Sequence, residues 1–85
     1  MLDINYSNQS IKFLKKIDRI LSERIINKIK DLSVNPFPSD SKSIKNSKMK
    51  LFRIRAGNFR ILYEVDYGNN LLGIVKIDKR SKIYK

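Results

Sequence analysis

The feature that most restricts the fold lies between residues 51 and 77, where apolar side chains recur at every second position on either side of a Gly-Asn pair. Leu51-Phe52-Arg53-Ile54-Arg55 and Phe59-Arg60-Ile61-Leu62-Tyr63-Glu64-Val65 flank Gly57-Asn58, a dipeptide that tolerates positive φ and closes a two-residue hairpin. Side chains alternate between the faces of a strand, so a loop at those two residues dictates the register. Ala56 stands opposite Phe59, Arg55 opposite Arg60, Ile54 opposite Ile61, Arg53 opposite Leu62 and Phe52 opposite Tyr63. One face then carries Phe52, Ile54, Ile61 and Tyr63, suited to packing on helices, and the other carries Arg53, Arg55 and Arg60. A third strand, Leu71-Leu72-Gly73-Ile74-Val75-Lys76-Ile77, comes after the turn Asp66-Tyr67-Gly68-Asn69-Asn70 and completes a meander.

Ahead of the meander the period changes. Leu2, Ile4 and Tyr6 alternate with Asp3 and Asn5 as in a short half-buried strand, and Ser7 or Asn8 is placed to cap a helix beginning there. Ile11, Leu14 and Ile17, or Phe13, Ile17, Ile20 and Leu21, recur at helical spacing, and Ile25, Ile26, Ile29 and Leu32 repeat the pattern, with a break expected near Asp18. Asn35-Pro36-Phe37-Pro38 stops the second helix, because proline cannot continue it and restricts the residue before it. Residues 35 to 49 read as a surface loop rich in serine and lysine, with Ile44 as its apolar anchor. The pattern predicts one α+β domain over residues 1–85: an N-terminal strand, a two-helix hairpin and an antiparallel β-meander with the helices packed on one face. Eighty-five residues suffice for one small core and not for two. No apolar run is long enough to span a membrane and no secretory signal opens the chain, so a cytoplasmic protein without a membrane partner is expected.

Charge narrows the function. The net charge is +11, and it is unevenly placed: residues 1–41 hold 7 basic and 5 acidic side chains, residues 42–85 hold 12 and 3. Such a bias favours a polyanionic partner through phosphate neutralisation and counterion release. Lysines number 13 and arginines only 6, yet four of the arginines fall at 53, 55, 60 and 80. Guanidinium groups give phosphate a planar pair of donors that lysine cannot imitate. Like charges opposed across a strand pair are destabilising, so the Arg55 and Arg60 opposition points to an anionic ligand, and replacing Arg60 is expected to leave stability level or slightly raised. The absence of histidine and cysteine removes the usual neutral-pH proton shuttle, thiolate chemistry and any disulfide framework.

Leu51 to Val65, together with Ile77-Asp78-Lys79-Arg80-Ser81-Lys82-Ile83-Tyr84, resembles the RelE toxin family of the RelE/ParE superfamily. The helical hairpin, the Asn-Pro stop and the basic loop extend the resemblance over essentially the whole chain. It implies a ribosome-dependent messenger RNA interferase of a type II toxin–antitoxin system, in which a 2′-hydroxyl attacks the adjacent phosphate and leaves a cyclic phosphate and a 5′-hydroxyl end. It implies no metal and no cofactor, and as partners the ribosome with its message and a RelB-like antitoxin whose helix and extended strand cover the toxin. By the same resemblance Arg53, Arg55, Arg60, Arg80 and Tyr84 form the catalytic set. Arg53 and Arg60 face the non-bridging oxygens, Arg55 neutralises the phosphate, Arg80 lies near the leaving 5′-oxygen, and Tyr84 stacks on a base or orients the nucleophile. Lys42, Lys45, Lys48, Lys50, Lys79 and Lys82 are candidates for gripping RNA backbone. Tyr84 is followed only by Lys85, so the extra C-terminal helix of some relatives is expected to be missing. Two alternatives remain: a ParE-type inhibitor of DNA gyrase, against which Arg80 and Tyr84 speak, and a noncatalytic RNA-binding module.

Overall fold

A computed structural model describes residues 1–44 and 50–79. Strand β1 (Asp3–Tyr6) leads into helix α1 (Asn8–Lys16) and helix α2 (Arg19–Val34). A two-residue strand β2 (Lys42–Ser43) then precedes β3 (Phe52–Ala56), β4 (Phe59–Asp66) and β5 (Leu71–Lys79). The five strands form one sheet in the order β1-β5-β4-β3-β2. The α+β architecture and its element order are those expected from the sequence, with one addition: part of the 35–49 loop pairs with β3 as β2, Lys42 opposite Arg53 and Ser43 opposite Phe52. So short a strand carries no periodicity of its own and is made by its neighbour's open edge.

The helix boundaries are set by side-chain chemistry. Ser7 caps α1 by accepting from the Ser10 N–H at 3.1 Å, and Lys15 and Lys16 occupy the last turn, where the helix dipole favours cations. Asp18 Oδ2 accepts from the Ile20 N–H at 3.0 Å and starts α2 where the break was expected. The hairpin turn has Gly57 at φ 63°, the left-handed backbone that glycine alone adopts without a Cβ penalty.

Strands β3 and β4 pair in the register set by that turn, residue for residue as derived from the sequence. The apolar face of the sheet meets α2 through Ile25, Ile29 and Leu32, which close over Ile54, Ile61, Tyr63, Ile74 and Ile77, all buried. Helix α1 adds Phe13, whose ring stands edge-on to Phe59 at 5.7 Å. Tyr63, expected on the apolar face, is fully buried, and Tyr67 stands exposed in the β4–β5 turn with its ring 6.4 Å from Phe37.

Strand β5 departs from strict alternation. Leu62 pairs with Lys76 and Tyr63 with Ile74, so Val75 is an extra residue, a β-bulge. The bulge returns both Ile74 and Ile77 to the core and turns Lys76 and Asp78 to the helix-free face. Its carbonyl is not wasted, since the Ser7 hydroxyl donates to Val75 O at 2.8 Å. Beyond the end of β1, the Gln9 carboxamide takes over as a strand partner, donating to Ile77 O and accepting from Ile77 N, both at 2.9 Å.

Tyr63 ties the loop after α2 to the sheet by donating to the buried Pro36 carbonyl at 2.6 Å. Burial pushes its phenol above the ordinary value, a Ser41 hydrogen bond opposes this, and the nearby Asp40 charge adds to it. Tyr63→Phe strands that carbonyl and should cost about 1–3 kcal/mol at neutral pH. A phenol whose folded pKa is raised contributes stability in full below its unfolded value near 10 and loses it as pH rises through the folded value. The stability gap between wild type and Tyr63→Phe, measured by urea unfolding, should therefore narrow above about pH 10. A gap that stays constant into strong alkali would mean that the phenol is not held neutral.

Candidate active site

The pleat that sends Phe52, Ile54 and Ala56 into the core sends Arg53 and Arg55 to the opposite face, which neither α1 nor α2 covers. Arg60 joins them from β4, directly opposite Arg55, and Lys42 joins from β2, directly opposite Arg53. Strand β2 pairs only with Phe52 and Arg53, and where it ends a cavity of about 310 Å³ opens, lined by Asp40, Lys42, Arg53, Ile54, Arg55 and Arg60. Among the described residues, four cations and one carboxylate thus surround a recess that a phosphodiester fits in charge and scale.

The four cations differ in exposure. Lys42 and Arg55 are exposed, Arg53 is half-buried, and Arg60 is only 4% exposed. A guanidinium sunk that far keeps its stem packed and its donors in a fixed direction, which favours bidentate binding of an oxyanion over loose attraction. Arg60 also has a neighbour that the hairpin register alone does not reveal: Asp78 of β5 pairs opposite it, on the flank away from Arg55. Asp78 in turn holds Lys76 at 3.2 Å. The like-charge opposition expected to lower stability is therefore offset by an opposite charge on the other side, and the expected gain on replacing Arg60 shrinks to no net change.

Of the remaining candidates the structure describes Lys50 and Lys79, and neither lines the cavity. Lys79 pairs with Phe59, so the bulge places it on the helix side of the sheet and away from the arginines. Lys50 is exposed just before β3 and does not line the cavity. Lys45, Lys48, Arg80, Lys82 and Tyr84 lie outside the described residues. Among the described residues, no group of three or more His, Cys, Asp or Glu side chains is placed to hold a metal, and no helix is long and apolar enough to cross a membrane.

Asp40 and Asp78 are the site neighbours that sequence reasoning passed over. Asp40 reaches the cavity from the loop that Tyr63 fixes to the sheet, and Lys28 of α2 holds its Oδ2 at 3.2 Å. The one available signal was that Asp40 is the sole acid between residues 35 and 50. At the far end of β4, the side chain and N–H of Asn69 hydrogen-bond the Asp66 carboxylate and hold it below the usual carboxylate range, a turn-forming role distant from the arginines.

A family profile described as the ParE toxin of type II toxin–antitoxin systems, parDE, matches residues 4–84. A Methanocaldococcus jannaschii protein assigned as toxin RelE1 is 28% identical over 85 residues, covering 98% of this chain and 94% of the relative. Among solved structures, the toxin-like fold of the archaeal RelE–RelB complex from Pyrococcus horikoshii superposes with a TM-score of 0.82 at 21% identity, over 95% of this chain and 97% of that one. The isolated RelE toxin of E. coli superposes with a TM-score of 0.75 at 16% identity, over 99% and 92%. At these identities the two structures establish the shared fold.

Proposed function

This chain belongs to the ParE toxin family of type II toxin–antitoxin systems, and from that premise we propose that it is a RelE-type ribonuclease that cuts messenger RNA on the ribosome. The observation that carries the reading is the gathering of Lys42, Arg53, Arg55 and Arg60 around one cavity on the helix-free face. In the proposed reaction the scissile phosphate sits in that cavity and the preceding 2′-hydroxyl attacks it. Arg53 and Arg60 stabilise the charge gathering on the non-bridging oxygens, and Arg55 neutralises the phosphate on entry. Arg80, the residue after β5, serves the leaving 5′-oxygen, and Tyr84 stacks on a base or orients the nucleophile. The reaction takes place in the cytoplasm, where the ribosomes are. A RelB-like antitoxin neutralises the chain, in keeping with the RelE–RelB complex whose toxin has this fold.

The name of the matching family favours a second reading, inhibition of DNA gyrase by protein contact. Message 5′ ends should be mapped in cells after induction, with and without a block on translation. New ends that vanish when translation stops support the ribonuclease. Intact messages together with arrested supercoiling support the gyrase reading, and ribosome binding without new ends supports a noncatalytic module.

Salt gives an independent check. Four phosphate contacts predict a slope of roughly −2.8 in log K against log salt for single-stranded RNA, or about a 50-fold loss of affinity between 50 and 200 mM. Filter binding of a noncleavable oligonucleotide with a 2′-methoxy group at each position measures it. Affinity unchanged across that range would remove the basic cavity from RNA binding.

A further inference from the structure

The cavity holds a carboxylate whose presence the phosphate-binding role does not explain. An acid among four cations weakens binding of an anion, so phosphate binding gives this side chain no task. Arginine cannot accept a proton at neutral pH, and the chain has no histidine. Of the eight carboxylate side chains in the sequence, all of which the structure describes, Asp40 lines the cavity. Asp78 sits opposite Arg60 but outside the lining, engaged with Lys76 at 3.2 Å. Lys28 approaches Asp40 through Oδ2 at 3.2 Å, while the side chain remains 56% exposed, open to a strand entering the cavity.

We propose that Asp40 is the general base of the cleavage, taking the proton from the attacking 2′-hydroxyl; the assignment rests on the ribonuclease reading. The bond from the 2′-oxygen to phosphorus forms as the bond from phosphorus to the 5′-oxygen breaks. The 2′-hydroxyl proton passes to the Asp40 carboxylate, the departing 5′-oxygen takes a proton from solvent water, and the carboxylic acid then returns its proton to solvent. Among the described residues, Lys28 from α2 pairs with this carboxylate, and Lys42 from β2, Arg53 and Arg55 from β3 and Arg60 from β4 line the same cavity. Lys28 restrains the carboxylate, and the others draw the phosphate toward it.

The test exploits the opposite signs of the two effects of one substitution. Asp40→Asn removes a negative charge from an anion site, so RNA should bind as tightly as to wild type or more tightly. The single-turnover cleavage rate on ribosome-bound message should nonetheless fall about 100-fold, the lower range for loss of a general base. Asp40→Glu, which restores a carboxylate, should recover part of the rate. Lys28→Met breaks the same ion pair but leaves the carboxylate, so its loss should fall well short of that of Asp40→Asn; circular dichroism confirms folding of each. Asp40→Asn cutting at the wild-type rate overturns the assignment. Equal losses in Asp40→Asn and Lys28→Met also overturn it, because the ion pair would then be structural. A wild-type chain that cuts no message overturns the ribonuclease reading and the base with it.

Discussion

Replacing Arg60 with leucine should lower the single-turnover rate of message cleavage on the order of 100-fold to 1,000-fold, the loss seen when one preorganised donor to a developing oxyanion is removed. The geometry behind this expectation is its depth: at 4% exposure, Arg60 presents its donors from a fixed position on the central part of the sheet. Folding should hardly change. Arg55 and Asp78 flank Arg60 with opposite charges, and cross-strand pairs of either sign contribute roughly 0.2–1 kcal/mol, so their removal nearly cancels. Arg60→Lys keeps the charge but not the planar fork, and should recover only part of the rate. Quench-flow on ribosome-bound message and thermal unfolding must be read on the same samples. A variant that unfolds would make Arg60 a structural residue, and a stable variant cutting at full rate would remove it from the reaction.

The converse result is expected one residue away. Ile61→Ala should destabilise by about 2–5 kcal/mol, because a fully buried side chain on the central strand leaves a void that packed neighbours cannot close. Ile61 sits between Ile54 and Ile77 in the register, with α2 above it, so both flanks and the roof are fixed. A domain of this size has about 5–15 kcal/mol in all, so the loss should lower the melting temperature by at least about 8 °C. Below that temperature the folded fraction should cut at close to the wild-type rate, since Ile61 faces away from the arginines. A melting temperature within about 3 °C of wild type would show that the helix layer relaxes into the gap more readily than its packing implies.

These neighbouring positions also mark what was legible in the sequence. Register in the β3–β4 hairpin came from Gly57-Asn58 alone, since a two-residue loop leaves no freedom to slip and an apolar face penalises any other pairing. The arginine cluster was legible for the same reason, as three residues on the polar side of that one hairpin. Lys42 was a candidate through charge only; its place opposite Arg53 depends on a two-residue strand that no local pattern announces. Strict alternation along β5 from Ile74 would put Lys79 beside the arginines. The bulge at Val75 reverses the faces, sending Lys79 to the helix side and bringing Asp78 to Arg60. That bulge is supported by Ser7 from the far end of the chain, a contact across 68 positions that period counting cannot see. Asp40 was hidden likewise, because its place is set by Tyr63 holding the Pro36 carbonyl and by Lys28 holding its carboxylate.

In the proposed reaction the helix-free basic face cleaves RNA by 2′-hydroxyl attack on a message held by the ribosome. End-group analysis of a defined message, incubated with purified chain and ribosomes stalled on it, tests this most directly. The expected result is a cut in the ribosome-bound message, an upstream fragment ending in a 2′,3′-cyclic phosphate and a downstream fragment beginning with a 5′-hydroxyl. An intact message, or fragments carrying 5′-phosphates, would contradict it.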